Sequence, residues 1–259
     1  KRTRKRANVL LILVTSGGNA DAAYRIARTL QRHYEKLIVF LPGYCKSAGT
    51  LIAVGAKELV MTDEGELGPL DVQMNKKDEL GQVQSGLTAT SAMENLHQQA
   101  FEAFQHFLVQ TTLRSQGTIT TKTSTDIAVK LTSGLFAPIY SQMDPIHIGE
   151  AGRALEVSRQ YGAILREHAG NITQESLDRL VSAYPSHGFV IDRDEVAKLF
   201  NEVRVPSVDE VALTAFFGDR GRWPMRFGDA PIVAFLSSEL PEQANQAGEL
   251  VHEVPAEEG

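Results

Sequence analysis

Two short glycine-containing segments hold the residues best suited to chemistry. The first is Thr15-Ser16-Gly17-Gly18-Asn19 and the second is Gly43-Tyr44-Cys45-Lys46-Ser47-Ala48-Gly49. Ser16-Gly17-Gly18 presents backbone N–H groups with no bulky side chain to keep a substrate carbonyl away. Ser47 stands at the expected start of a helix, where the first N–H groups lack intrahelical acceptors and the dipole favours negative charge. A serine hydroxyl beside two sets of amides has the makings of a nucleophile with an oxyanion hole. Each segment also has a plainer use: a serine before a helix caps it, and a glycine pair makes a tight turn.

The surrounding elements decide whether the two segments can meet. Asn8 to Val14 is an apolar run of strand length that ends at the first turn, and Lys36 to Leu41 is another that runs into Pro42-Gly43. Between them Ala22, Ile26, Ala27 and Leu30 recur at helical spacing. After the second turn the small apolar stretch to Ala56 predicts a buried helix, and Glu58 to Thr62 a third strand. Strand, helix, strand, helix, strand with short links predicts parallel pairing by right-handed crossovers, an α/β core. Both glycine turns then lie at the same carboxyl edge of the sheet, where such proteins place their sites.

Beyond Asp63 the pattern becomes polar and glycine-rich, which predicts a long irregular arm to about Leu87. A long helix follows from about Ser91 to Arg114, with Met93, Leu96, Ala100, Phe104, Phe107 and Leu108 on one stripe. A helical region from Thr125 to about Arg166 is expected to break near Pro138 and Pro145, and a short helix to run from about Thr173 to Ala183. Asp192 opens a further helix with an acidic first turn. Past Pro206, VDEVALTAF suits a helix and PIVAFL a last strand.

The runs SGGNADAAYRIARTL and KLIVFLPGYCKSAGTLIAVGAKELVMTDEGELGPLDVQ resemble the fold shared by the Clp protease proteolytic subunit, signal peptide peptidase A and crotonase. KSAGTLIAVGAKELVMTDEGELGPLDVQ and YPSHGFVIDRDEVAKLF look most like the serine dehydrogenase proteinase family, a branch near signal peptide peptidase A. The resemblance implies a spiral of repeated ββα units with a mainly helical elaboration. It also implies a serine peptidase in which Ser47 attacks, Gly18 and Ala48 donate N–H groups to the oxyanion, and Gly17 shapes the turn. In the Clp-like pattern a histidine follows the nucleophile helix and an aspartate comes later, whereas this chain has Asp71 and then His187 at about those places. The expected triad is therefore Ser47 as nucleophile, His187 as base and Asp71 as orienting carboxylate, since triads are defined by roles rather than chain order. The alternative base is a lysine, as in signal peptide peptidase A. Lys76 and Lys77 are the candidates, because Lys46 is expected to point away and Lys57 to lie at an exposed helix end. Two other uses of the fold compete: an inactive peptide-binding or scaffold protein, and a crotonase-like acyl-thioester enzyme.

Composition sets the outer bounds. The chain has 259 residues, 42% hydrophobic and 22% charged, as an ordinary globular protein does. Its net charge of −6 argues against nucleic-acid binding. His97 and His106 are nine residues apart, and His147 and His168 lack partners at ligand spacing, so no metal is expected. No nucleotide motif is present, and no cofactor is expected. The single cysteine, Cys45, implies no disulfide and suits a buried filler. The apolar runs are too short to span a bilayer, and the lone cysteine makes a cytoplasmic location the expectation. Five cations among the first six residues suit a peripheral membrane contact or an upstream anchor in a longer parent chain, while the stretch from Ser237 to Gly259 carries six Glu and no Lys or Arg. The expected partners are a peptide or protein substrate and further copies of the chain, with the long helix mediating assembly. The expected organisation is a peptidase domain over 1–218, with a helical insertion at about 74–183, and an acidic extension over 219–259.

Overall fold

A computed structural model describes residues 6–70, 73–75, 83–224 and 233. Strand β1 (Arg6–Ile12) leads to helix α1 (Ala20–His33), which Asn19 caps by accepting from the Ala22 N–H at 2.9 Å. Strand β2 (Tyr34–Leu41) follows, then β3 (Tyr44–Cys45), helix α2 (Ala48–Val54), β4 (Glu58–Met61) and β5 (Glu66–Leu67). A small antiparallel pair, β6 (Gln73–Asn75) and β7 (Val83–Ser85), precedes α3 (Gly86–Arg114). Helices α4 (Thr121–Tyr140), α5 (Pro145–Ala169), α6 (Gln174–Ser182) and α7 (Arg193–Leu199) come next. Strand β8 (Val203–Arg204), helix α8 (Val208–Phe217) and a 3-10 turn at Gly218–Gly221 complete the described elements.

The main sheet is parallel throughout, in the order β1-β2-β4-β8, with Val9 opposite Leu37 and Val39 opposite Leu59. The expected α/β core is therefore present. Its central strands read as continuous apolar runs because both faces are covered: Val39, Phe40 and Leu41 of β2 and Leu59, Val60 and Met61 of β4 are fully buried. Buried residues of α1, α2, α5, α6 and α7 join the same core. A polar tie crosses it, for Gln31 Nε2 donates to the carbonyls of Gly55 (2.9 Å) and Leu165 (3.0 Å), joining α1 to the end of α2 and to α5.

Several expectations are corrected. Gly43 to Cys45 is not only a turn, because Tyr44 and Cys45 form β3, parallel to β5. The arm after Asp63 contains β5, β6 and β7. The interruption near Pro138 lies instead at 141–144: Pro138 is accommodated in the last turn of α4, and Pro145 opens α5 behind the Asp144 cap, where its missing N–H costs no hydrogen bond. β8 joins the sheet edge with only two residues, too short to leave a pattern. The stripe from Met93 to Leu108 does face inward, against α4 and α5. The expected strand PIVAFL, apart from Val233, and the acidic end of the extension lie outside the described residues. Among the described residues, no helix is long and apolar enough to cross a membrane.

Candidate active site

Past the end of β1 the chain keeps pairing, and this brings the two glycine turns together. The Thr15 N–H donates to the Tyr44 carbonyl at 2.9 Å and the Lys46 N–H to the Thr15 carbonyl at 3.0 Å, so Thr15 and Cys45 form a parallel bridge. Gly49 lets α2 approach this bridge, because a Cβ there would stand 2.5 Å from Thr15 Cγ2 and 2.6 Å from Cys45 Sγ.

Ser47 sits at φ 50°, ψ −112°, a conformation that L residues rarely adopt and that costs about 1–3 kcal/mol. Although it occupies the N-cap position of α2, its side chain makes no capping hydrogen bond, which removes the plainer use of this serine. Opposite it, Gly17 (φ 110°) and Gly18 (φ 137°) take backbone angles open to glycine. The two glycines have different tasks. Gly17 is packed against Ser47, and its N–H is held by Thr15 Oγ1 at 3.0 Å. Gly18 borders open space, and among the described residues neither its N–H nor that of Ala48 donates to another group. Gly17 is thus fixed within the turn, while the Gly18 and Ala48 amides border the serine without an acceptor among the described residues.

A cavity of about 430 Å³ lies over these groups. Ser47, Ala48, Gly18 and His187 all line it, so residues 140 positions apart in sequence share one space. His187 is half-buried with its Nδ1 shielded from solvent. It is carried by the segment between α6 and α7, which is anchored at both ends. Tyr184 is buried and donates to Glu195 at 3.1 Å; burial first, and then that bond, pushes its phenol up to about 12. Ile191 exchanges two hydrogen bonds with Leu67 of β5, at 2.9 and 3.0 Å.

The first turn and the start of α1 add Ser16, Asn19 and Ala20 to the wall, and Leu51, Leu70 and Ser158 complete it. Ser158 of α5 escapes sequence reasoning, although one signal is present. Ala151, Leu155, Gly162 and Leu165 mark the buried face of α5, and Ser158 occupies a position on that stripe where an apolar residue is the rule. The helix is brought there by α1, through the stacked rings of Tyr24 and Tyr161 (4.3 Å) and the hydrogen bond from Tyr161 to Asp21 at 2.8 Å.

Lys46 points away from the cavity, and Lys57 is exposed at the end of α2. Asp71, Lys76 and Lys77 lie outside the described residues; Asp71 directly follows the cavity-lining Leu70 in the chain. Cys45 is fully buried, and burial pushes its thiol well above the ordinary range, so it is a packing residue rather than a nucleophile. His97, His106 and His168 are exposed. Among the described residues, no three His, Cys, Asp or Glu side chains gather at metal-ligand distances.

The parallel α/β core thus brings a strained serine, two backbone amides and a histidine to one cavity, an arrangement compatible with serine-hydrolase chemistry. The chain belongs to the ClpP-like SDH-type serine proteinase family, whose model matches residues 1–142. That match contains both glycine turns and Ser47 but ends before Ser158 and His187. Two uncharacterized proteins of Methanocaldococcus jannaschii, MJ0137 and MJ1495, are each 41% identical to it over 66 residues, 26% of this chain. The chain spans about a quarter of the length of these curated relatives, since 23% of each is covered. No solved structure matches the chain at a significant level.

Proposed function

We propose that this protein is a serine peptidase that hydrolyses peptide bonds through an acyl-enzyme on Ser47. The observation that carries the proposal is the strained Ser47, whose hydroxyl is withheld from capping and shares a cavity with His187 and the Gly18 amide. In this mechanism Ser47 Oγ attacks the scissile carbonyl carbon as His187 takes its proton. The oxyanion is held by the Gly18 and Ala48 N–H groups. Collapse breaks the C–N bond, His187 returns the proton to the leaving amine, and water then hydrolyses the ester by the same route in reverse. Asp71 is assigned the orienting carboxylate. Its place directly after Leu70 and the shielding of His187 Nδ1 support that role. The substrate is a peptide or protein, and the working form is a homo-oligomer. The assembly reading is supported by the exposed Phe101, Val109 and Leu113 of α3 and Leu131, Leu135 and Ile139 of α4.

A fluorophosphonate probe tests the proposal. The protein should be labelled, and Ser47→Ala should abolish labelling and lower peptide hydrolysis on the order of 10⁴-fold or more. His187→Ala should slow labelling comparably. Labelling that persists in Ser47→Ala overturns the nucleophile. Loss in a Lys76→Ala/Lys77→Ala variant with retention in His187→Ala moves the base to a lysine. A protein that takes no label and cleaves no peptide is a binding member of the family.

A further inference from the structure

Lys46 immediately precedes the nucleophile in sequence yet is 2% exposed, among the least accessible charges in the described structure. Its ammonium donates to the carbonyls of Leu67 and Phe189, each at 3.1 Å, lies 3.4 Å from Glu66 Oε1, and stands 5.3 Å from the centre of the Tyr44 ring. These acceptors belong to separate pieces of the site. Leu67 and Glu66 form β5, the partner of the strand that delivers Ser47. Phe189 is two residues past His187. Leu67 O receives both Lys46 Nζ and the Ile191 N–H, so the ammonium sits on the bridge that fastens the His187 segment to β5. The passage is cut to fit: a Cβ on Gly68 would stand 2.5 Å from Lys46 Cδ. A fully buried cation is costly unless each donor finds an acceptor. Here the acceptors join the nucleophile turn to the loop carrying the histidine.

We propose that Lys46 is a positioning residue that sets the separation of Ser47 and His187, tying the strand that ends at the serine to the backbone beside the histidine. Its catalytic consequence rests on the serine-peptidase reading above. Substrate contact is not part of the role, since the ammonium points into the protein and away from the cavity. A displacement of about 1 Å between reacting groups lowers rates about 10²-fold, which is the effect expected from loosening this tie.

Two variants test it. Lys46→Met removes the ammonium, and Gly68→Ala keeps the charge but obstructs its path, so a folded variant remains if the first is too unstable. Two measurements are made on each: the rate and endpoint of fluorophosphonate labelling at Ser47, and amide hydrogen exchange at Phe189 and Ile191. The expected result is labelling slowed about 10²-fold with a complete endpoint, together with faster exchange at Ile191. Simple misfolding would lower the endpoint instead. Unchanged labelling rates, or unchanged exchange at Ile191, overturn the proposal. If the parent protein takes no label, the serine-peptidase reading fails by itself. Exchange at Ile191 in Gly68→Ala then decides alone whether Lys46 holds the His187 segment.

Discussion

Gly17 and Ser47 are in contact across the two turns: a Cβ added to Gly17 would lie 2.8 Å from Ser47 Cβ and 3.4 Å from Ser47 Oγ. The glycine therefore sets the space in which the serine side chain rotates. Gly17→Ala combines this clash with a φ of 110° that suits glycine. It is expected to cost about 1–3 kcal/mol of stability and to suppress fluorophosphonate labelling. Gly18→Ala, which meets open space, carries only the backbone strain and should leave more labelling than Gly17→Ala. Chemical denaturation and labelling rates on the two variants give the comparison.

The strain at Ser47 predicts a difference between two inactive variants. Ser47→Ala keeps an L side chain at φ 50°, whereas Ser47→Gly relieves it. Ser47→Gly should be the more stable by about 1 kcal/mol, with neither variant labelled. Equal denaturation midpoints would mean that the turn relaxes around alanine at no cost.

Cys45 lies two residues from Ser47 but is fully buried, with its thiol pushed up by burial. The folded protein is expected to resist thiol-directed reagents at neutral pH and to react once denatured. Counting modified thiols before and after denaturation checks this. It also establishes that electrophiles reaching the site are reporting on serine.

Gln31 ties three helices together from a buried position, through its bonds to the Gly55 and Leu165 carbonyls. Gln31→Leu leaves those carbonyls without their donor and should cost about 1–3 kcal/mol, read from the denaturation midpoint. Because the tie lies away from the cavity, labelling at low temperature should be retained.

Acid should loosen the β8 edge first. Glu210 is held at about 2, against an ordinary value of 4.5, chiefly by the hydrogen bonds from Arg204 at 2.7 Å. Glu58, which partial burial pushes upward, is nevertheless held below the ordinary range by its bonds from Lys36 and Arg204. Both folded values are depressed, so their contribution to stability is complete above 4.5 and is lost as pH falls toward about 2. Melting temperatures followed through that window should decline, and Glu210→Gln should flatten the decline.

Much of this architecture was legible in the chain. The apolar runs ending at Val14 and Leu41, the helical spacing between them and the glycines after each run led to a parallel core with two turns at one edge. Those signals are local: strand length, helical period and the backbone freedom of glycine are written in adjacent residues. By contrast, β3 and β8 have two residues each, too few to show a period, and exist because neighbouring strands supply their hydrogen bonds.

The site divides in the same way. Ser47 and the amides of Gly18 and Ala48 were accessible as candidates from sequence because they stand within a few residues of a strand end or a helix start. Only the folded chain could decide that Ser47 is strained rather than capping, since that depends on Gly17 packing against it from another turn. Only the fold could bring His187 and Ser158 into the same cavity, or turn Lys46 inward onto Leu67 and Phe189. Side chains so far apart in sequence meet through the packing of α1, α5 and the α6–α7 segment on the sheet. No short window of residues encodes where such surfaces will touch.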